Sequence, residues 1–230
     1  MALKRITFTG ADTKTNQFEM LNISKEYPFV EWGILLPHIG VSRFPSKAWL
    51  TVLIGAATLA PFKVQLAGHL CPPWTGDYLN GDKRIFDLVG TAFQRIQINT
   101  HGEEYLWHEY WLEDIASDSG REYIVQLDGI SDVHMHEAIE SHAPDVTGLH
   151  DMSHGGGKVP KVWPKSNELW IGYAGGLGSH NLGEELPKIA KAAGDADYWI
   201  DMETYVRTNG EFDLQKCIDC IKIVEPFIVK

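Results

Sequence analysis

Amide, hydroxyl, carboxyl and imidazole side chains occur in pairs, two or four residues apart, in or at the end of several short apolar segments of the chain. The pairs are Thr7 and Thr9, Gln65 and His69, Gln97 and Asn99, Gln126 and Asp128, and Asp201 and Glu203. Because successive side chains of a β-strand point to opposite faces, each pair would share one face of its strand. Amide and hydroxyl groups bind polar ligands, and carboxyl and imidazole groups transfer protons. The pattern predicts a binding site for a small polar molecule.

A glycine-rich segment near the C-terminus could bind an anion. Gly175, Gly176 and Gly178 follow an apolar run and precede a helical pattern that begins at Asn181. The backbone N–H groups of such a loop, together with the positive end of a helix, bind phosphate. A tight turn between a strand and a helix would contain the same glycines. We predict a phosphate site formed by the three glycines and by Thr204, which lies in the loop after the next apolar run.

The apolar segments alternate with helical patterns along the whole chain. Strands are predicted at residues 5–9, 30–36, 63–69, 95–99, 123–128, 145–151, 169–174 and 198–202. Helices are predicted at residues 46–59, 83–93, 103–116, 132–141, 181–193 and 213–224, with Ser46 and Asp132 as N-caps and a weaker pattern over 13–26. Eight alternating units predict a single (β/α)8 TIM barrel domain of the α/β class over residues 1–230, with an open doubly wound sheet as the alternative. Active sites of such barrels lie at the carboxyl ends of the strands, where the polar pairs occur.

Composition limits the possible partners. The net charge of −11 excludes a nucleic acid recognised through a basic patch. The first residues lack the long apolar region of a secretory signal, and the longest apolar stretch, residues 49–62, is too short to cross a bilayer. We therefore expect a cytoplasmic protein that binds a small-molecule substrate and neither nucleic acid nor membrane. The oligomeric state is left open.

The chain contains cysteines and histidines, which are common metal ligands. Cys71, Cys217 and Cys220 form no disulfide framework, and the last two lie in an amphipathic helical pattern that favours core packing. The candidate ligands among the remaining residues are His38, His69, His101, His150, His154, Asp128 and Asp151. They lack the close spacing of known metal sites, and strand alternation places His150 on the outer face. We predict no metal and no cofactor, with a metal-dependent barrel enzyme that uses these histidines as an alternative.

Short motifs along nearly the whole chain carry a resemblance to one family. They are ITFTG at 6–10, WGILLP at 32–37, SRFPS at 42–46, IQINTHGE at 96–103, LHD at 149–151, GGGK at 155–158, AGGL at 174–177 and ID at 200–201. In order and spacing they resemble phosphoribosylanthranilate isomerase, the barrel enzyme of tryptophan biosynthesis. The resemblance implies a (β/α)8 barrel and an Amadori rearrangement. In that reaction an acid opens a sugar ring and a base removes a proton from the neighbouring carbon.

The resemblance also implies roles for single residues. Asp151 lies at the position of the family's catalytic acid, and Arg43 lies at that of the arginine that holds the substrate carboxylate. The position of the family's cysteine base is occupied by Thr9, whose hydroxyl has no accessible basic form without a strong neighbouring base. The candidates for a substitute base are His69, His101 and Cys71.

The expected function follows from these assignments. We predict an isomerase, or a related proton-transfer enzyme, that acts on a small anionic, sugar-phosphate-like substrate. The catalytic candidates are Asp151 and Thr9. Substrate contacts are expected from Arg43, Gln97, Asn99, Asp128 and His69. Besides the metal-dependent enzyme, a non-catalytic descendant that binds a small molecule is kept as an alternative.

Overall fold

Eight parallel strands form a closed barrel in which each strand pairs with the next and the last pairs with the first. They are β1 (Leu3–Thr9), β2 (Val30–Leu35), β3 (Gln65–Leu70), β4 (Arg95–Ile98), β5 (Glu122–Leu127), β6 (Val146–His150), β7 (Trp170–Ala174) and β8 (Asp197–Met202). The computed structural model describes residues 2–36, 43–71, 74–79, 82, 84–99, 120–127, 139, 145–153, 156–166 and 170–229. The pairing of β1 with β8 confirms the predicted (β/α)8 barrel and excludes the open sheet.

Helices surround the barrel. They are α1 (Gln17–Glu26), α2 (Lys47–Leu59), α3 (Trp74–Leu79), α4 (Arg84–Val89), α5 (Leu182–Ala193) and α6 (Leu214–Val224). A short hairpin of β9 (Arg207–Thr208) and β10 (Glu211–Phe212) lies between β8 and α6. The helices predicted at 103–116 and 132–141, with the cap Asp132, lie outside the described residues apart from residue 139. None of the helices in the described segments is long and apolar enough to cross a membrane.

Local sequence explains where several helices begin and end. The Ser46 hydroxyl accepts a hydrogen bond from the Trp49 N–H at 3.2 Å, as predicted for an N-cap. Asp213 caps α6 in the same way. Helix α4 is shorter than the predicted 83–93 because Gly90, with φ at +54°, ends it. The pattern did not predict α3 or the hairpin, since neither is long enough to show a period.

Strand alternation sorts the side chains into two layers. The outward-facing residues, among them Ile6, Phe8, Ile34 and Val125, are fully buried between the strands and the helices. His150 also faces outward, as predicted, with its ring 5.4 Å from that of Tyr173. The inward-facing residues fill the barrel, and their chemistry changes from the amino ends of the strands to the carboxyl ends.

The barrel interior has a charged floor and an apolar middle layer. The floor, at the amino ends of the strands, is built from Arg5, Glu31, Arg95 and Glu122, which are joined by ion pairs. Above it lies an apolar cluster of Ile124, Leu149 and Trp199. The Trp199 ring fits because position 172 is glycine: a Cβ atom there would lie 2.4 Å from the indole. This apolar layer separates the floor from the polar carboxyl ends of the strands.

Candidate active site

A cavity of about 350 Å³ opens at the carboxyl ends of the strands. Of the residues predicted to form a site, it is lined by Thr9, Arg43, His69, Gln97, Asn99, Asp151, Gly175, Gly176 and Thr204. Asp128, His38, His101 and His154 lie outside the described residues. Residues from most of the strands therefore meet in one place, although they are far apart in the sequence.

Among the described residues that line the cavity, Asp201 has the most deeply buried carboxyl group. Its Oδ1 accepts a hydrogen bond of 2.8 Å from the Thr9 hydroxyl, and its Oδ2 lies 4.0 Å from His69 Nε2. Burial raises the pKa of Asp201 well above its usual value, against the lowering effect of the Thr9 hydrogen bond. The charges of Glu203, Asp151 and Glu31 raise this pKa further. Asp201 is thus suited to hold and donate a proton, and Thr9 holds it in place.

His69 is the imidazole of this cluster. Its side chain is 2% exposed. Burial lowers its pKa to about 3, and the charge of Arg95 on the floor adds to the shift. The ring is therefore neutral at physiological pH. Gly33 makes room for it: a Cβ atom at position 33 would lie 2.1 Å from Thr9 Oγ1 and 2.8 Å from His69 Nε2.

The low pKa of His69 predicts how stability depends on pH. Below pH 6.5 the unfolded chain takes up a proton at His69, whereas the folded protein excludes it down to about pH 3. The folded protein should therefore lose stability as the pH falls through this interval. Urea unfolding of the wild type and of His69→Gln would measure the effect, with a smaller loss expected for the variant. Equal losses in both proteins would contradict the prediction.

Asp151 is held differently from Asp201. Its Oδ1 accepts hydrogen bonds from the Ser153 N–H at 3.0 Å and the Ser153 hydroxyl at 2.8 Å. Its Oδ2 accepts one from Gln126 Nε2 at 3.2 Å. In each of these three bonds the carboxyl group is the acceptor. The cavity therefore contains one carboxyl group whose surroundings favour the protonated form and another that acts as an acceptor.

Arg43 lies at the rim, where it forms an ion pair with Glu203. Burial raises the pKa of Glu203, the charges of Arg43 and Arg207 lower it, and that of Asp151 raises it again. The resemblance implied that Arg43 holds a carboxylate of the substrate. In the structure it holds a carboxylate of the protein.

The glycine-rich loop follows β7. Gly175 and Gly176 have φ angles of +126° and +64°. A Cβ atom on Gly176 would lie 2.6 Å from the backbone nitrogen of Val159. These glycines are thus required by the close approach of the preceding loop.

Gly178 and Thr204 complete the predicted phosphate site. The Gly178 N–H donates to Asn181 Oδ1 at 3.0 Å, and a Cβ atom at position 178 would lie 2.6 Å from Tyr205 Cβ. Gly178 therefore faces Tyr205, while Gly175, Gly176 and Thr204 line the cavity. Phosphate binding here stays a prediction.

Only one of the three cysteines lies at the cavity. Cys71 lines the cavity and accepts a hydrogen bond from Asn99 Nδ2 at 3.4 Å; burial raises the pKa of its thiol. Cys217 and Cys220 are buried in α6 among core residues. Within the described ranges, no group of three or more His, Cys, Asp or Glu side chains is placed to hold a metal ion.

A closed parallel barrel with a polar cavity at the carboxyl ends of its strands defines the chain as a (β/α)8, or TIM, barrel. Among solved structures it is similar to dimeric phosphoribosylanthranilate isomerase from Thermotoga maritima, solved as mutually generated monomers. The two chains share 16% identity, with a TM-score of 0.61 over 97% of this chain and 99% of the other. It is also similar to a GH113 β-1,4-mannanase, with 14% identity and a TM-score of 0.55 over 98% of each chain.

These similarities are structural. No protein-family model matches the sequence, and no curated protein matches it either. The resemblance to phosphoribosylanthranilate isomerase seen in the sequence motifs is therefore confirmed for the fold. The activity must be argued from the cavity itself.

The sequence patterns did not predict several residues of the site. Ser153 and Gly33 were not singled out, although Ser153 orients Asp151 and Gly33 admits His69. The Arg43–Glu203 pair joins residues 160 positions apart. A usable signal existed only for Ser153, because serine two residues after aspartate often bonds to it in a turn.

Proposed function

We propose that the chain is an isomerase, or a related enzyme, that transfers protons on a small sugar-like substrate. The observation that carries the proposal is the pair of carboxyl groups, Asp151 and Asp201, in contrasting surroundings within one cavity. Two titratable groups whose environments differ in this way are typical of paired acid and base catalysts. The similarity to a solved isomerase is consistent with this reaction class but concerns the fold.

The roles of the two groups follow from their hydrogen bonds and their burial. Asp151, as the base, would take the proton from the carbon next to a carbonyl, while Asp201 would donate its proton to the carbonyl oxygen. Asp151 would then return the proton to the former carbonyl carbon, and Asp201 would recover one from the neighbouring hydroxyl. The resemblance implies the acid role for Asp151; the hydrogen bonds of Asp151 and the burial of Asp201 favour the reverse. Thr9 would position Asp201 rather than act as the base.

Loss of either carboxyl group should stop proton transfer. We expect Asp151→Asn and Asp201→Asn each to slow exchange of the substrate C–H proton with D2O by about 10²–10⁴-fold, the usual contribution of a general acid or base. Nuclear magnetic resonance on a panel of aldoses, aminoaldoses and their phosphates would measure the exchange. Asp195→Asn, at an exposed position, is the matched control and should exchange at the wild-type rate. Absence of exchange by the wild type on the whole panel, or full activity of both variants, would refute the proposal.

A genetic experiment tests the family's own substrate. Expression of the chain in a tryptophan auxotroph that lacks phosphoribosylanthranilate isomerase would restore growth if that compound is turned over. Failure to restore growth, with exchange on another sugar, would assign the chain a different substrate within the same reaction class.

A further inference from the structure

Three buried polar atoms at the cavity have no hydrogen-bond partner in the described part of the chain. They are His69 Nε2, Gln97 Oε1 and Gln126 Oε1. Gln97 and Gln126 are only 6% and 3% exposed, and both line the cavity. Buried polar atoms are nearly always hydrogen-bonded in native proteins, so these three atoms are available to a ligand that enters the cavity.

Two of these atoms are acceptors. Gln126 Nε2 donates to Asp151 Oδ2, which leaves Oε1 as the unpaired atom. Gln97 likewise donates through Nε2, to Asn99 Oδ1 at 2.8 Å. An amide oxygen can accept only, so its missing partner must carry a hydrogen to donate. Hydroxyl and ammonium groups meet this requirement, whereas ionised phosphate and carboxylate oxygens do not.

The arginines near the cavity are already paired. Arg43, at the rim, is bonded to Glu203. Arg207 donates to the carbonyl oxygens of Gly10 and Gly210. His69 is neutral, and the whole chain carries a net charge of −11. An anionic ligand would therefore have to displace Glu203 from Arg43 and enter against the field of the protein.

We infer that the cavity selects an uncharged or amine-bearing polyhydroxylated compound, such as a free sugar or an amino sugar, over its phosphate ester. The unpaired acceptors Gln97 Oε1 and Gln126 Oε1 bind its donor groups, and the Arg43–Glu203 pair closes the rim to anions. A cavity of about 350 Å³ accommodates a molecule of this size. The inference rests on the proposed function, since it names the substrate class of the same cavity, and it departs from the phosphorylated substrate predicted from the sequence.

Calorimetric titration of the wild type separates the two substrate classes. The probes are glucose, glucosamine, glucosamine 6-phosphate and inorganic phosphate. We expect glucose or glucosamine to bind at least tenfold more tightly than glucosamine 6-phosphate, and phosphate alone to give no heat of binding. Tighter binding of the phosphate ester, or no binding of either free sugar, would overturn the inference. Because calorimetry detects binding whether or not turnover follows, binding of a free sugar with no proton exchange on any compound of the panel would refute the proposed function and leave this inference intact.

Glu203→Gln tests the role of the ion pair. It frees Arg43, so the affinity for glucosamine 6-phosphate should rise at least tenfold, while the affinity for glucose changes less than threefold. Glu211→Gln is the matched control, because it removes the same charge from an exposed pair with Lys14 and should alter neither affinity. If the Glu203 variant fails to fold, Arg43→Gln replaces it: glucose affinity should change less than threefold, and a larger loss would contradict the inference.

Discussion

Replacement of Arg95 by leucine is expected to lower the free energy of unfolding by about 3–5 kcal/mol, the usual cost of removing one partner from a buried ion pair. Arg95 is buried in the barrel floor, where it bonds to Glu31 at 2.9 Å and to Glu122 at 2.8 Å. Its guanidinium group also lies 4.1 Å from the ring centroid of Trp199. The substitution removes a counter-charge from Glu31, which is buried, and the only ion-pair partner described for Glu122, which is 22% exposed. Urea unfolding followed by circular dichroism would measure the loss.

Without Arg95, the neighbours of the two carboxylates supply one positive charge, that of Arg5, and otherwise only neutral donors. Glu31 keeps bonds from Arg5 and Thr7, and Glu122 keeps bonds from Thr147 and Trp170. Arg84→Leu is the matched control, since Arg84 also pairs with a carboxylate, Asp82, but is exposed. Its midpoint of unfolding should stay close to that of the wild type, because exposed pairs contribute little. If both variants lost the same stability, the floor would not be the buried charge network described above.

Replacement of Gly33 by alanine is expected to destabilise the protein by about 1–3 kcal/mol through overpacking. The new methyl group would lie 2.1 Å from Thr9 Oγ1, which already bonds to Asp201. Thr9 and His69 must both move, so binding of the sugar probes should weaken together with stability. Urea unfolding and calorimetric titration of the same preparation would test both effects.

Gly55→Ala provides the matched control. Gly55 lies in α2, and a Cβ atom there would have no heavy atom within 4 Å. Alanine is preferred over glycine inside a helix by about 1 kcal/mol, so this variant should be slightly more stable than the wild type. Opposite signs for the same substitution at the two positions are the expected result. A stabilising effect at both positions would mean that Gly33 does not make room for the cluster.

The sequence predicted the barrel because its signals are local. Each strand is a short apolar run with turn residues on both sides, and all eight predicted runs overlap the observed strands. Pairs such as Gln97 and Asn99 were assigned to one face from alternation alone, and both line the cavity. The cap of α2 at Ser46 was likewise predicted from neighbouring residues.

The charges inside the barrel could not be predicted in this way. Glu31 and Arg95 bond to each other from positions 64 residues apart, and each looks in sequence like an isolated charge within an apolar strand. The ion pair of Arg43 could not be predicted for the same reason, because its partner Glu203 is distant in the chain. Gly33 resembles any glycine in a strand until the side chains of β1 and β3 are placed beside it. Such features depend on which strands become neighbours, and a single sequence does not contain that information directly.

The apolar layer of Ile124, Leu149 and Trp199 has an effect on the chemistry above it. A layer of low polarisability screens charge poorly, so the field of the floor passes through it to the cavity. Burial is the main reason that the His69 ring is uncharged and that the pKa of Asp201 is raised, and the charges of Arg95 and Glu31 on the floor add to these two shifts. Residues that never touch a ligand can thus contribute to the protonation of those that do, and the acidity of the site can be adjusted without reshaping the cavity.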